Sequence, residues 1–148
     1  MKKNQKKNCG FTLTELLVVI AAITIMCGVS LVFLSAYSPY AKLKGEGNQI
    51  VTEILKTQNL SLTDQEIYKI KFNKTDNNYS IFRKIDDDHD TLIENVNLIS
   101  GISFVSNDIE IRFNASGTPS TGAEITIQNR KNEQLTIQIT QTGFVKII

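Results

Sequence analysis

A long uncharged apolar run lies near the start of the chain, and the rest of the chain mixes apolar and polar residues. Residues 16–41 carry no charged side chain, and apolar residues surround a helix drawn through them as far as Leu34. At about 1.5 Å per residue, such a helix is about 39 Å long, enough to cross a hydrocarbon layer about 30 Å thick. The pattern therefore predicts one membrane-spanning helix near the amino terminus.

The pattern becomes amphipathic between Asn48 and Leu60. The apolar positions that define this pattern are Ile50, Ile54 and Leu55. They predict a second half of the same long helix, with its apolar stripe covered by a sheet. Pro39 predicts that the first half ends or kinks, and Gly45 and Gly47 predict a bend between the two halves.

Alternating apolar and polar residues follow the helix and predict antiparallel β-strands. The predicted strands cover residues 67–72, 79–84, 92–98, 102–105, 109–113, 123–128, 135–140 and 144–148. Polar segments separate them, among them loops at 86–90 and 116–122. The predicted fold class is therefore α+β, in which a long amino-terminal helix packs on a carboxy-terminal antiparallel β-sheet domain.

Charges at the amino terminus orient the predicted membrane helix. Four lysines and no acidic residue precede Glu15, so we expect the amino terminus to stay in the cytoplasm and the bulk of the chain to lie outside. Glu15 stands at the start of the apolar run, where an ionised carboxylate needs a partner. Cleavage between Gly10 and Phe11 would create an α-ammonium group four residues before Glu15, on the same helix face.

The segment from Gly10 to Leu17 resembles the cleavage site of type IV pilins and type II secretion pseudopilins. The shared features are a basic leader, Gly10, Phe11, Thr12-Leu13, Glu15 and the apolar run. The resemblance implies that a prepilin peptidase cuts after Gly10 and that Phe11 becomes the N-methylated first residue. It also implies a pilin fold, in which Glu15 serves filament assembly.

The same resemblance implies three parts: a leader at 1–10, a transmembrane and assembly helix at 11–38, and a periplasmic or extracellular α+β domain at 39–148. A plain signal anchor is the alternative, and it would leave Glu15 without a partner. A secretory signal has an apolar core of about 7–15 residues before its cleavage site. Here the Gly-Phe junction precedes a longer apolar run, which argues against such a signal.

A second resemblance lies at the carboxyl end. Residues 111–119, two alternating strands and residues 142–147 are together similar to the last region of H-type minor pseudopilins, the GspH/FimT-like group. In that group an F-x-x-x-G loop precedes a hairpin, and a final T-G-x-V turn closes the sheet. We expect Gly117 and Gly143 to serve backbone geometry rather than binding.

One acidic cluster has the spacing of a metal site. Asp86, Asp88 and Asp90 have the 1-3-5 spacing of a calcium-binding loop. However, Thr91 stands where that loop needs glycine, and Asn97 stands where it needs a bidentate glutamate. A solvated polar loop is the favoured interpretation, so no metal or cofactor is predicted. With a single histidine and no nucleophile or phosphate-loop motif, the sequence predicts no enzymatic activity.

The charge balance argues against nucleic acid as a partner. Without the four leader lysines, 12 basic and 15 acidic side chains remain, a net charge of −3, whereas DNA binding requires a basic surface. Acidic residues interrupt the basic residues of the last third of the chain, which are Arg112, Arg130, Lys131 and Lys146.

Two functional hypotheses follow from the resemblances. The first is a minor pilin or pseudopilin, a structural subunit of a type II secretion pseudopilus or of a type IV or competence pilus. Its implied partners are other pilin subunits, the prepilin peptidase and methyltransferase, and an assembly platform in the inner membrane, which the chain would cross once. The alternative is a filament-borne binding module, a DNA-uptake receptor or adhesin that uses the loop at 116–122.

Overall fold

One helix precedes eight strands in the described part of the chain. The computed structural model describes residues 12–85 and 89–148, with the backbone alone described for residues 29–38. The helix, α1, covers Leu13–Asp64. Its continuity confirms the prediction of one long amino-terminal helix.

The chain divides into two compact units, of which the first ends at Ser38 and the second covers Pro39–Ile148. Over residues 12–85 and 89–148, no helical segment combines the length and the apolarity that a membrane crossing requires. The span that the sequence predicts at 11–38 includes side chains outside the described part, and it stays a prediction.

The helix is continuous through Pro39, Gly45 and Gly47, which all lie inside α1. The helix end expected at Pro39 is therefore not found, whereas the alternative kink there and the bend expected between the two halves stay predictions. Proline removes one backbone donor, which a helix of this length tolerates. Gly47 has a packing reason instead: a Cβ atom there would lie 2.7 Å from Cδ2 of Leu135. The residue therefore permits close approach between helix and sheet.

The second unit buries one face of α1. Leu43, Ile50 and Ile54 are fully buried, as the amphipathic pattern predicts for the last two. Leu55 is 40% exposed, so its predicted place in the stripe is wrong. A helix advances about 100° per residue, so the face through Ile50 and Ile54 continues at Thr57 and Ser61 rather than at Leu55.

Thr57 and Ser61 are buried because the helix satisfies their hydroxyl groups. The Thr57 hydroxyl donates to the carbonyl of Glu53 at 2.7 Å, and the Ser61 hydroxyl donates to the carbonyl of Gln58 at 2.7 Å. Hydrogen bonds of this kind make a polar residue tolerable in a core. An apolar pattern alone misses both residues.

The strands lie within two residues of their predicted positions. Their bounds are β1 Tyr68–Asn73, β2 Asn78–Lys84, β3 Asp90–Asn97, β4 Ile102–Phe104, β5 Ile109–Phe113, β6 Ala123–Asn129, β7 Gln134–Ile139 and β8 Val145–Ile147. The predicted hairpins are confirmed as the antiparallel pairs β1–β2 and β6–β7.

The strands form two four-stranded antiparallel sheets. The first sheet has the order β3-β2-β1-β5, and the second has the order β4-β6-β7-β8. The predicted fold class is confirmed, and the division into two sheets adds to it. It arises because β4 and β5, although consecutive in the chain, pair with different neighbours, β6 and β1.

The core of the second unit consists of the buried face of α1 and the inward side chains of both sheets. Phe72 of the first sheet contacts the rings of Tyr79 and of Phe104, with 5.8 Å between centroids in each case. The remaining fully buried strand residues are mostly isoleucine: Ile70, Ile81, Ile111, Phe113, Ile125, Ile127 and Ile137. Branched and aromatic side chains suit such pleated, buried surfaces.

Candidate functional site

The first candidate site is the amino-terminal end of α1, where Thr12 and Glu15 form a reciprocal cap. The Thr12 backbone N–H donates to Oε2 of Glu15 at 2.9 Å, and the Thr12 hydroxyl donates to the same atom at 2.8 Å. In return, the Glu15 backbone N–H donates to the Thr12 hydroxyl at 3.2 Å. This is a capping box, in which each residue satisfies an amide of the other.

The cap gives Glu15 a partner inside its own chain. The side chain is exposed, and its bonds to Thr12 all use Oε2. In the described part of the chain, Oε1 accepts no hydrogen bond. The carboxylate therefore retains a free oxygen for a cation while it holds the first helical turn.

The apolar residues that follow Glu15 are exposed to the surroundings of the isolated chain. Leu16, Leu17, Val18, Val19, Ile20, Ile23, Ile25 and Met26 all have large exposed fractions. Apolar surface of this extent is covered by lipid or by other apolar helices in working proteins. Gly10 and Phe11, the predicted cleavage and methylation residues, lie outside the described residues, so their roles stay predictions.

The second candidate site lies in the second unit, where the two carboxy-terminal motifs meet α1. The side chain of Gln58 donates from Nε2 to the Gly117 carbonyl at 2.8 Å. A Cβ atom on Gly143 would lie 2.5 Å from the same Nε2, and a Cβ atom on Gly117 would lie 2.7 Å from Cγ of Leu62. Both glycines also have positive φ angles, 70° at Gly117 and 84° at Gly143. They allow the loop and the last turn to close on the helix.

Asn114 shapes the loop between these motifs. Its side-chain Oδ1 accepts from the backbone N–H groups of Ser116 at 3.0 Å and Thr118 at 2.9 Å. Pro119 then forms an isolated antiparallel bridge with the buried Phe113. The loop at 116–122 is thus built from its own backbone and helix contacts. Sequence reasoning missed Asn114 and Gln58, although Asn, Ser and Gly, which stand at 114, 116 and 117, are all typical turn residues.

The acidic cluster considered as a metal site has one of its three residues in the described part of the chain. Asp86 and Asp88 lie outside it, so the calcium hypothesis is not tested by their positions. Asp90 begins β3, and its carboxylate forms an ion pair with Lys69 of β1. Residues 12–85 and 89–148 contain no group of three or more His, Cys, Asp or Glu side chains that could hold a metal ion.

The basic residues considered for DNA lie on separate elements. Arg112 of β5 donates from Nε to Glu110 at 2.6 Å, and Lys71 of β1 pairs with the other Glu110 oxygen at 3.1 Å. Burial raises the pKa of Glu110, but these two partners lower it by more, so the carboxylate stays ionised. Arg130 lies in the turn between β6 and β7, and Lys146 lies in β8 of the second sheet.

Comparison with known protein families identifies the amino-terminal segment. Residues 5–31 match the family described as the prokaryotic N-terminal methylation motif. The match includes the predicted cleavage junction, the capping box and the first part of the apolar run. None of the curated proteins compared with the chain has significant sequence similarity to it.

Solved structures share the fold of the chain. The minor pseudopilin EpsH, from the type 2 secretion system of Vibrio cholerae, gives a TM-score of 0.62 at 11% sequence identity, over 72% of this chain and 96% of that one. The type IV minor pilin FimU of Pseudomonas aeruginosa gives 0.61 at 12% identity, over 76% of this chain and 92% of that one. The chain therefore carries the prokaryotic N-terminal methylation motif and has the pilin fold, as minor pseudopilins and minor pilins do.

Proposed function

We propose that the chain is a minor pilin or pseudopilin, a structural subunit of a type II secretion pseudopilus or of a type IV or competence pilus. The observation that carries the proposal is the methylation motif at the head of a long helix, in a chain with the pilin fold. Neither feature alone supports the proposal, because the motif by itself indicates only how the chain is processed and a fold does not determine function.

Processing creates the group that Glu15 needs. A prepilin peptidase and methyltransferase cuts after Gly10 and methylates the new amino group of Phe11. The resulting ammonium pairs with the free oxygen of Glu15, in the same chain or in a neighbour. Because two opposite charges attract strongly in an apolar layer, this pair fixes the axial register between neighbouring helices.

Apolar burial drives assembly. The mature helix sits in the inner membrane as a single span, with its amino terminus on the cytoplasmic side and the second unit in the periplasm or outside the cell. An assembly platform in that membrane transfers the subunit into a filament, where the exposed apolar side chains of α1 pack on those of other pilin subunits. The environment of these side chains stays apolar throughout.

The experiment that tests this proposal is the intact mass and the first residue of the protein, isolated from membranes with and without its peptidase. A chain that begins with N-methylated Phe11 only when the peptidase is present supports the proposal. A chain that still begins with Met1 beside an active peptidase contradicts it and identifies a plain signal anchor. A variant with Gly10→Leu serves as the control, because it blocks cleavage and leaves the helix unchanged.

The binding-module alternative stays a hypothesis that no specific observation favours. The loop at 116–122, which it would use, contributes its backbone to the contact with Gln58 and Leu62. We therefore do not propose it as a ligand site.

A further inference from the structure

In the described part of the chain the two sheets have four edge strands, and three of these edges are at least partly protected. Asn77 covers the edge of β4: its Nδ2 donates to the Ile102 carbonyl at 2.9 Å, and its Oδ1 accepts from the Phe104 N–H at 3.1 Å. The loop at 116–122 covers the end of β5, where the Ser120 N–H donates to the Arg112 carbonyl at 2.8 Å. Such covers prevent unwanted strand pairing.

The edge of β3 is blocked by irregularity and charge. Its pairing with β2 shifts register between Ile81 and Phe82, which is a bulge. Two of its residues are acids held in ion pairs, Asp90 with Lys69 and Glu94 with Lys56. Bulges and inward-facing charges are devices that proteins use to protect an edge strand.

The fourth edge, β8, is three residues long with Lys146 at its centre, and in the described part of the chain no bulge, bound side chain or loop covers it. The Ile148 N–H donates to the Thr136 carbonyl at 2.9 Å, and the Thr140 N–H donates to the Phe144 carbonyl at 2.9 Å. Antiparallel pairing alternates along the strand, so the backbone groups of Val145 and Ile147 point away from β7. Two N–H donors and two carbonyl acceptors are therefore open at this edge.

The side chains around this edge are largely apolar and exposed. Phe144 and Ile148 are 64% and 61% exposed, and Ile147 is also exposed. Phe144, Lys146 and Ile148 share the outer face of the sheet because side chains alternate along a strand. Lys146 makes no ion pair with any described residue, so the centre of the edge carries one uncompensated positive charge.

We propose that β8 is a docking edge that receives an extended segment of a different protein chain as a fifth strand of the second sheet. The open backbone groups of Val145 and Ile147 supply the hydrogen bonds, as in recognition by strand addition. The partner segment alternates apolar residues, which cover Phe144 and Ile148, and places a carboxylate opposite Lys146. The proposal does not depend on processing of the amino terminus.

Self-pairing of β8 is disfavoured by the same lysine. An antiparallel pair of two copies that overlaps all five residues from Phe144 to Ile148 centres on Lys146. It places the two lysines directly opposite each other, and like charges in that position repel. An acidic segment of another chain meets no such penalty.

The test uses the full-length chain in detergent micelles and a fluorescent synthetic peptide that alternates valine and threonine around one central glutamate. Val145→Pro removes an open donor without breaking a bond to β7, so it should weaken peptide binding by about tenfold or more. Lys146→Glu should weaken it as well, and should instead favour a peptide with a central lysine. Circular dichroism checks that each variant is folded.

Three outcomes overturn the proposal. The first is that the glutamate peptide does not bind the unaltered chain, and the second is that it binds equally well after Lys146→Glu, a substitution of an exposed side chain. The third is that light scattering shows a dimer of the unaltered chain and that Val145→Pro dissociates this dimer. That result would identify a second copy of the chain as the occupant of the edge. If Lys146→Glu binds the peptide with a central lysine better than the peptide with a central glutamate, the result supports the proposal.

Discussion

Glu46 is a buried carboxyl group on the face of α1 that packs against the sheets, with 3% of its surface exposed. Burial raises its pKa, and a hydrogen bond from the Ile99 backbone N–H opposes part of that rise. The folded chain therefore binds a proton at Glu46 more tightly than the unfolded chain does. Proteins tolerate such residues when their polar atoms are paired.

This residue should make stability depend on pH. Because the folded pKa lies above the ordinary glutamate pKa of 4.5, the free energy of unfolding should fall as pH rises from that value through the folded pKa. Glu46→Gln keeps an acceptor for Ile99 and removes the charge, so it should lose this part of the dependence and gain stability at neutral pH. Urea unfolding across this pH range measures it. Equal pH profiles for the two proteins would contradict the expectation.

Two buried tyrosines should respond differently to loss of the hydroxyl group. The Tyr68 hydroxyl donates to Asp64 at 2.5 Å, and burial together with this bond raises its pKa to about 12. The Tyr79 hydroxyl has no hydrogen-bond partner among the described residues, since Gln49 comes close to it without the required geometry.

Tyr68→Phe should therefore lower the free energy of unfolding by about 1–2 kcal/mol, whereas Tyr79→Phe should leave it unchanged or raise it. The pair is matched because each substitution removes one oxygen atom from a buried ring. Urea unfolding of both variants measures the difference. A larger loss for Tyr79→Phe would show that its hydroxyl has a partner in solution.

Glu15 has two separable roles, cap and charge. Glu15→Ala removes both, whereas Glu15→Gln keeps an oxygen that can accept from Thr12 and removes the charge. We expect both variants to be cleaved after Gly10 and both to enter filaments poorly, because assembly needs the charge. Counting processed subunits in sheared filaments measures this. If Glu15→Gln assembles normally, assembly does not need the charge, and the cap alone accounts for the role of this side chain.

The sequence alone was sufficient to single out Glu15 but not Glu46. A charged residue inside an otherwise uncharged run is an anomaly that can be seen without coordinates. Glu46 lies among Lys44 and other polar residues, where a solvated position is the ordinary expectation. Only the packing of α1 against the sheets shows that it is buried.

At the scale of elements, the junction between α1 and the two carboxy-terminal turns depends on the absence of side chains. Gly143 has φ 84° and no room for a Cβ atom beside Gln58, while Gly45 is helical and has no atom within 4 Å of an added Cβ. The two glycines are alike in sequence and opposite in environment.

Gly143→Ala should therefore lower the free energy of unfolding by about 1–3 kcal/mol. Gly45→Ala should raise it by about 0.5–1 kcal/mol, because alanine favours a helix over glycine. Thermal unfolding of both variants measures the contrast. A neutral Gly143→Ala would show that the turn can move away from the helix at little cost.

Strand positions were predictable because alternation is a local property, whereas strand partners were not. Nothing in the residues of β4 and β5 indicates that they join different sheets, because pairing is decided by turns and packing elsewhere. The same holds for the end of α1, where Thr57 and Ser61 continue the buried face with polar side chains. Leu55, by contrast, is apolar and exposed. The hydropathy pattern therefore predicts where the helix and the strands lie in the sequence, but not which strands pair or which helix residues are buried.

At the scale of the whole molecule, the two units differ in what they require from their surroundings. The described side chains of the first unit are exposed, and most are apolar, whereas the second unit collects its isoleucines and aromatic residues in a core of its own. The predicted leader, Glu15 and the apolar run could be recognised from sequence because they lie in one short continuous segment. The open edge of β8 could not, since it depends on which strands lie beside it.

Asn77 has a consequence for how the second unit unfolds. It lies in the β1–β2 turn of the first sheet with φ 53°, its carbonyl accepts from the Leu98 N–H, and its side chain binds both ends of β4 in the second sheet. One residue thus ties the two sheets, so neither should melt alone. Asn77→Ala should lower the cooperativity of unfolding, seen as a smaller dependence on denaturant concentration. It should also speed hydrogen exchange at Phe104 ahead of the rest of the core, turning one transition into two.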